Sequence, residues 1–171
     1  MSDSLSRTAL YQAHVRAGAR MAPFAGWEMP VQYAGIIAEH KAVRSSWGVF
    51  DVSHMGRLAV SGPGAAALLD LVLTNDVASL RPGRARYGLI CLDDGGVLDD
   101  VIVLRRTPEQ YLLVPNAANR VAVDEWLRRH VGNGTVVAIE DRTAETVMLA
   151  VQGPGAGSHL DRLLGHPVTD L

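Results

Sequence analysis

Residues 58–73 read LAVSGPGAAALLDLVL, and residues 149–164 read LAVQGPGAGSHLDRLL. Each copy is an apolar strand, a Gly-Pro-Gly-Ala corner and a helix. Pro63 and Pro154 suit the first turn of a helix, where a missing N–H costs nothing. Leu68, Leu71 and Val72 mark the apolar face of one helix, and Leu160, Leu163 and Leu164 mark that of the other. A glycine loop opening a helix can cradle a phosphate. Neither copy has the Lys-Ser/Thr of a P-loop, so structural punctuation is the better reading.

Outward from this near-repeat, IIAEHKAVRSSW (36–47) places Ile36, His40, Val43 and Trp47 at i, i+4, i+7 and i+11. That spacing predicts an amphipathic helix ending at Gly48. YLLVP (111–115) reads as a short strand. The segment after it predicts a helix from about Asn119, stopped by Gly132. Val123, Trp126, Leu127 and His130 share its apolar stripe, with Asp124/Arg128 and Glu125/Arg129 as solvent-side i,i+4 pairs. TVVAIED (135–141) and ETVMLAVQG (145–153) read as further strands. Strands and helices mix without the regular alternation of a parallel sheet. The fold class is α+β, a mostly antiparallel sheet with packed helices.

The chain has 171 residues, 48% hydrophobic and 20% charged, with a mean hydropathy of +0.11. This is the composition of a core-forming globular protein with room for one domain or two small ones. A net charge of −2 and pI near 6.3 supply no field that draws in nucleic acid or anionic lipid. The cations are almost all arginine, Lys41 being the only lysine. Cys91 stands alone, which excludes a disulfide framework and a multi-thiolate metal site and makes buried filler its simplest role. No apolar run has membrane-spanning length. MSDSLSRTALYQAH at the start lacks the apolar core of a signal peptide. The expected setting is the reducing cytoplasm, with neither membrane nor nucleic acid as partner.

CLDDGGVLDDVIVLRR (91–106) carries the chemistry. Asp93-Asp94-Gly95-Gly96 has hairpin-turn composition and needs no other role. In the strand that follows, Leu98, Asp100, Ile102 and Leu104 face one way, and Val97, Asp99, Val101 and Val103 the other. Asp99 and Asp100 therefore do not form a carboxylate dyad. Each sits in an apolar row and must be paired, hydrogen-bonded or neutralised there. Such a carboxyl is a candidate general acid/base or an anchor for a ligand N–H. Capping the turn or pairing with an arginine is the open alternative. An EF-hand loop counted from Asp93 puts Leu98 where glycine is required, and the six histidines are scattered, so no metal site is expected. PFAGWEMPVQY (23–33) and GVFDVSHMGRLAV (48–60) are dense in aromatic and methionine side chains. These line flat cofactor pockets or fill cores, and core filling is the simpler reading.

ARMAPFAGWEMPVQY (19–33), HKAVRSSWGVFDVSHMG (40–56), TNDVASL (74–80), ARYGLICLDDGGVLDDVIV (85–103) and VPNAAN (114–119) together resemble the glycine cleavage system T protein, or aminomethyltransferase, family. They stand in that family's order and cover nearly all of the chain. The resemblance implies a folate-binding aminomethyltransferase-like fold, here truncated. It implies that an aminomethyl group on the lipoyl arm of the H protein reacts with tetrahydrofolate to give 5,10-methylene-tetrahydrofolate and ammonia. It places Asp100 against the reacting folate nitrogens as the catalytic residue. Met55, Tyr87, Val114 and Asn116 fall at positions that line the folate pocket, and Leu98 and Ile102 would keep water from Asp100. Residues 1–52 and 140–171 would form part of a first domain and 53–139 an inserted second domain. The family's chains are longer, with a Tyr-Thr-Gly-Glu segment, an arginine segment and a C-terminal barrel beyond the stretch matched here. The isolated chain is therefore expected to be inactive or nearly so unless the C-terminal half is supplied in trans. A related folate-dependent demethylating or tRNA-modifying protein, and a non-catalytic interaction module of the same fold, are the alternative readings.

Overall fold

The two Gly-Pro-Gly corners fold alike. Gly62 and Gly153 both adopt φ +114°, and a Cβ on them would lie 2.6 Å from the Val136 carbonyl oxygen and 2.5 Å from that of Val43. Only glycine fits either position. The helices that follow begin at Ala65 and Ala156, capped by Gly64 and Gly155. Pro63 and Pro154 therefore precede the caps and steer the chain into the helix, rather than filling its first turn.

The computed structural model describes residues 4–168. In chain order the first elements are α1 (Tyr11–Arg16), β1 (Arg20–Phe24), β2 (Trp27–Gln32), α2 (Ile36–Ser45) and β3 (Gly48–Asp51). Next come β4 (Leu58–Ser61), α3 (Ala65–Val72), β5 (Ala85–Cys91), β6 (Val97–Thr107) and β7 (Gln110–Val114). The last are α4 (Arg120–Arg129), β8 (Ala138–Asp141), β9 (Leu149–Gln152) and α5 (Ala156–Leu164). Among the described residues no helix is long and apolar enough to cross a membrane. The chain divides into two units, one ending at His54 and resuming at Val147, the other being Met55–Thr146. Each holds one copy of the near-repeat. The boundary expected at residue 140 falls inside β8, whose pairing with β4 keeps it in the second unit's sheet.

The second unit is a five-stranded antiparallel sheet in the order β5-β6-β7-β4-β8, with α3 and α4 on one face. Alternation explains the layering. Val101 and Val103 of β6, Leu58 and Val60 of β4, and Tyr111 and Leu113 of β7 are buried with Leu69 of α3 and Leu127 of α4. Full burial of each such side chain stabilises by roughly 1.5–3 kcal/mol. In α3 the buried stripe is Leu68, Leu69 and Val72, while Leu71 is exposed, contrary to its expected place on the apolar face. Asp124 and Arg128 of α4 pair as the i,i+4 spacing predicts, at 2.8 Å. Arg57 is buried, and its guanidinium donates to the carbonyls of Met55 and Thr143, to that of Thr146 at 2.8 Å and to the Thr146 hydroxyl at 2.9 Å.

The first unit has two separate antiparallel pairs, β1–β2 and β3–β9. Ala25 and Gly26, both at positive φ, make the tight β1–β2 turn. Thr8, His14 and Asp51 form a buried polar knot, which Tyr33 joins from an exposed position. The Thr8 hydroxyl donates to Asp51 Oδ2 at 2.6 Å, and His14 Nε2 lies 2.8 Å from the same oxygen. Burial works to raise the Asp51 pKa, but hydrogen bonds from Ser53, Thr8 and His14 outweigh it and hold the carboxyl below its ordinary value. Facing the ionised acid, His14 Nε2 is the donor of its pair, and Nδ1 lies 2.8 Å from the Tyr33 hydroxyl.

Amphipathic spacing overstates burial in this unit. α2 forms as its spacing predicts but ends at Ser45, and Ile36, His40 and Trp47 are exposed. Leu163 and Leu164 of α5 are exposed as well. Of the aromatic-rich segments, Met29 is core, whereas Phe24 and Phe50 are not. Val31, Tyr33, Trp47 and Phe50 instead help to line a cleft of about 350 Å³.

Candidate functional site

β6 carries the two acids on opposite faces. Asp99 is 3% exposed on the helix-covered face, and Asp100 is exposed on the other. The acids are not a dyad, but one side chain reaches both. Asn116, just past β7, donates its Nδ2 to Asp99 Oδ1 at 2.9 Å, to Asp100 Oδ1 at 2.9 Å and to the Asp100 carbonyl at 3.0 Å. Its backbone N–H donates to Asp99 Oδ2 at 2.8 Å, and Asn119 Nδ2 donates to Asp99 Oδ1 at 2.6 Å. Asp99 thus holds the loop from Asn116 to Asn119 by charge-assisted hydrogen bonds.

Tyr87 approaches Asp100 from β5. Its hydroxyl donates to Asp100 Oδ2 at 2.8 Å, and this bond, then partial desolvation and the carboxylate charges of Asp100 and Asp99, push the phenol above its ordinary pKa. In sheet register Tyr87 stands opposite Ile102, and Ile102 opposite Val114, so the three share a row across β5, β6 and β7. Asp100 lies two residues along β6 from that row, on the same face. Val114 is buried, whereas Tyr87 is 64% and Ile102 42% exposed. Ile102 therefore does not shield Asp100 from water as expected, because strand parity assigns a side chain to a face without supplying a layer over it.

Met55 is half-buried. Its neighbour Gly56 donates its N–H to the Pro115 carbonyl at 2.9 Å, and a Cβ at Gly56 would lie 2.6 Å from the Pro115 ring. The glycine lets the chain after Met55 pack against the residue preceding Asn116. Two further residues hold β5 at and beside Tyr87. Asn75 Nδ2 donates to the Tyr87 carbonyl at 3.1 Å, and the Leu89 N–H donates to the Thr74 hydroxyl at 3.0 Å. Gly88 has no room for a Cβ against the Asn75 amide. Sequence reasoning missed Asp99, Asn119, Thr74 and Asn75 as supports of this site. The fixed words NAAN and TND, rich in short polar side chains beside strands, were the only signal. Among the described residues no group of three or more His, Cys, Asp or Glu could hold a metal ion.

The second unit is thus an antiparallel sheet with helices on one face and an acid, an amide and a phenol hydrogen-bonded together on the other. The family model described as the GCVT N-terminal domain matches residues 10–170, and the chain belongs to that family. It is 49% identical over 166 residues to the aminomethyltransferase of Symbiobacterium thermophilum, covering 95% of this chain and 44% of that protein. It is likewise 49% identical over 159 residues to the aminomethyltransferase of Geobacillus kaustophilus, covering 93% and 43%. The crystal structure of the glycine cleavage system aminomethyltransferase T from Bartonella henselae matches with a TM-score of 0.90 and 37% identity. That match covers 98% of this chain and 46% of the other, so the α+β fold is that of the N-terminal half of such proteins. The chain spans less than half the length of these relatives.

Proposed function

We propose that this chain forms the folate-facing part of an aminomethyltransferase, moving a one-carbon unit from the aminomethyl-lipoyl arm of an H protein to tetrahydrofolate in the cytoplasm. The observation that carries the reading is Asp100, held on the open sheet face by Tyr87 Oη and Asn116 Nδ2 with lone pairs to spare. Asp100 accepts a folate N–H, polarises that nitrogen and aims it at the aminomethyl carbon. Two carbon–nitrogen bonds to folate form as the carbon's bonds to nitrogen and sulfur break, and the folate protons leave with ammonia and the reduced lipoyl thiol. Tyr87 and Ile102 offer an exposed aromatic and aliphatic shelf for the flat pterin, with Val114 buried at the end of their row. A soluble cosubstrate and a single free cysteine suit a reducing compartment.

Calorimetry with tetrahydrofolate tests binding. Transfer is tested with lipoylated H protein carrying the aminomethyl group, with and without a polypeptide matching the relatives' remaining half. The expected result is folate binding that weakens in Asp100→Asn, and transfer that needs the added half and falls about 10²-fold or more in the variant. Near-normal transfer by Asp100→Asn, or no folate binding even with the added half, rejects the reading.

A further inference from the structure

The segment between α4 and β8 closes in a tight turn, the Thr135 N–H donating to the Gly132 carbonyl at 3.0 Å. Asn133 and Gly134 are its two central residues, and both are exposed. Gly134 takes φ +80°, the value glycine supplies at the second central position of a type II turn. Among the described residues neither the Gly134 N–H nor the Asn133 side chain has a hydrogen-bond partner. The other three asparagines are held. Asn75 Nδ2 donates to the Tyr87 carbonyl at 3.1 Å, and Asn116 and Asn119 donate to Asp99 at 2.9 Å and 2.6 Å. Bulkier residues, Asp76, Ala117 and Arg120, follow them. Only Asn133 sets an unheld amide beside an unhindered glycine nitrogen. The turn also supports the first Gly-Pro-Gly corner. The Gly64 N–H donates to the Val136 carbonyl at 3.2 Å, and a Cβ on Gly64 would run into the side chains of Thr135 and Val137.

We propose that Asn133–Gly134 is a self-modifying site, where the chain ages to an isoaspartyl linkage that loosens the corner at Gly62–Gly64. The Gly134 nitrogen attacks Asn133 Cγ. A carbon–nitrogen bond forms, the Cγ–Nδ2 bond breaks, and ammonia leaves with the proton that Gly134 gives up. Water then opens the cyclic imide. Attack at Cγ yields aspartate in an ordinary backbone. Attack at the main-chain carbonyl carbon yields isoaspartate, whose backbone is one methylene longer. Water is the only co-reactant. The lengthened link no longer fits the bond between Thr135 and Gly132, so Thr135 draws away from Gly64.

Incubation of the full 171-residue chain at neutral and mildly alkaline pH, followed by tryptic mapping, tests the site. Residues 130–142 form one tryptic peptide whose only side-chain amide is that of Asn133. The expected result is conversion of this peptide into two species, each heavier by the difference between a hydroxyl and an amino group. Conversion is faster at the higher pH, because the attacking nitrogen must lose its proton. One of the two species accepts a methyl group from an isoaspartyl-specific carboxyl methyltransferase. Peptides carrying Asn75, Asn116 and Asn119 stay unchanged. In the aged chain the Gly64 N–H exchanges with solvent about tenfold or more faster. Asn133→Gln, whose longer side chain closes the ring poorly, keeps both the peptide mass and the slow exchange. A 130–142 peptide that converts only after unfolding in urea overturns the site, since the folded turn then protects the amide. Conversion with unchanged exchange at Gly64 overturns the loosening.

Discussion

Tyr87 donates its hydroxyl to Asp100 across the β5–β6 pair, from a diagonal position two residues off the direct register. This bond is the main reason that the phenol resists ionisation. In the native chain Tyr87 should titrate above its usual range of about pH 10. In Asp100→Asn it should drop back toward that range. Difference absorbance against a Tyr87→Phe control isolates the group, and an unmoved transition would show that the bond is not maintained in solution.

Asp99→Ala should cost about 2–4 kcal/mol of unfolding free energy in the second unit. The substitution leaves the Asn116 N–H, the Asn116 amide and the Asn119 amide without their buried acceptor. Asp100→Ala, on the exposed face, should cost less than about 1 kcal/mol. Urea denaturation of both variants measures the asymmetry between two adjacent acids.

Gly62→Ala and Gly153→Ala should each destabilise by about 2–4 kcal/mol, since both the positive φ and the nearby carbonyl oxygen oppose a methyl group. The effects should separate by unit. Hydrogen exchange should speed in β4 and α3 for the first variant, and in β9 and α5 for the second.

The buried Asp51 knot makes the first unit sensitive to acid. A carboxyl whose pKa is lowered by folding contributes stability fully above its unfolded pKa of about 3.9, and that contribution is lost as pH falls through the folded value. Thermal midpoints of the native chain should therefore fall steeply below about pH 4, and those of Asp51→Asn should start lower and vary less. Equal pH slopes would contradict the assignment of Asp51 as the ionised member.

β6 was legible residue by residue, because period-two alternation is a local property of an extended chain and a single error would have reversed every side chain on it. The antiparallel class was legible for a related reason: short strands, a Gly-Gly hairpin and few crossover helices leave little else. Asp99 as the anchor of Asn116 and Asn119 was not legible, since the contact joins residues 17 and 20 apart whose meeting depends on β6 and β7 pairing. α2 and α5 mark the other limit. Their spacing identifies an apolar face, but burial needs an opposing surface, and Ile36 and Leu163 do not have one in the described chain.

Arg57 grips the carbonyls of Met55 and Thr146, the first and last residues of the second unit. One guanidinium thus clasps the two ends of a self-contained sheet, like a knot tied in both strings of a purse. A gene fragment encoding only that stretch would emerge with its termini already side by side, ready for head-to-tail cyclisation through a short linker or for grafting into a loop of an unrelated host.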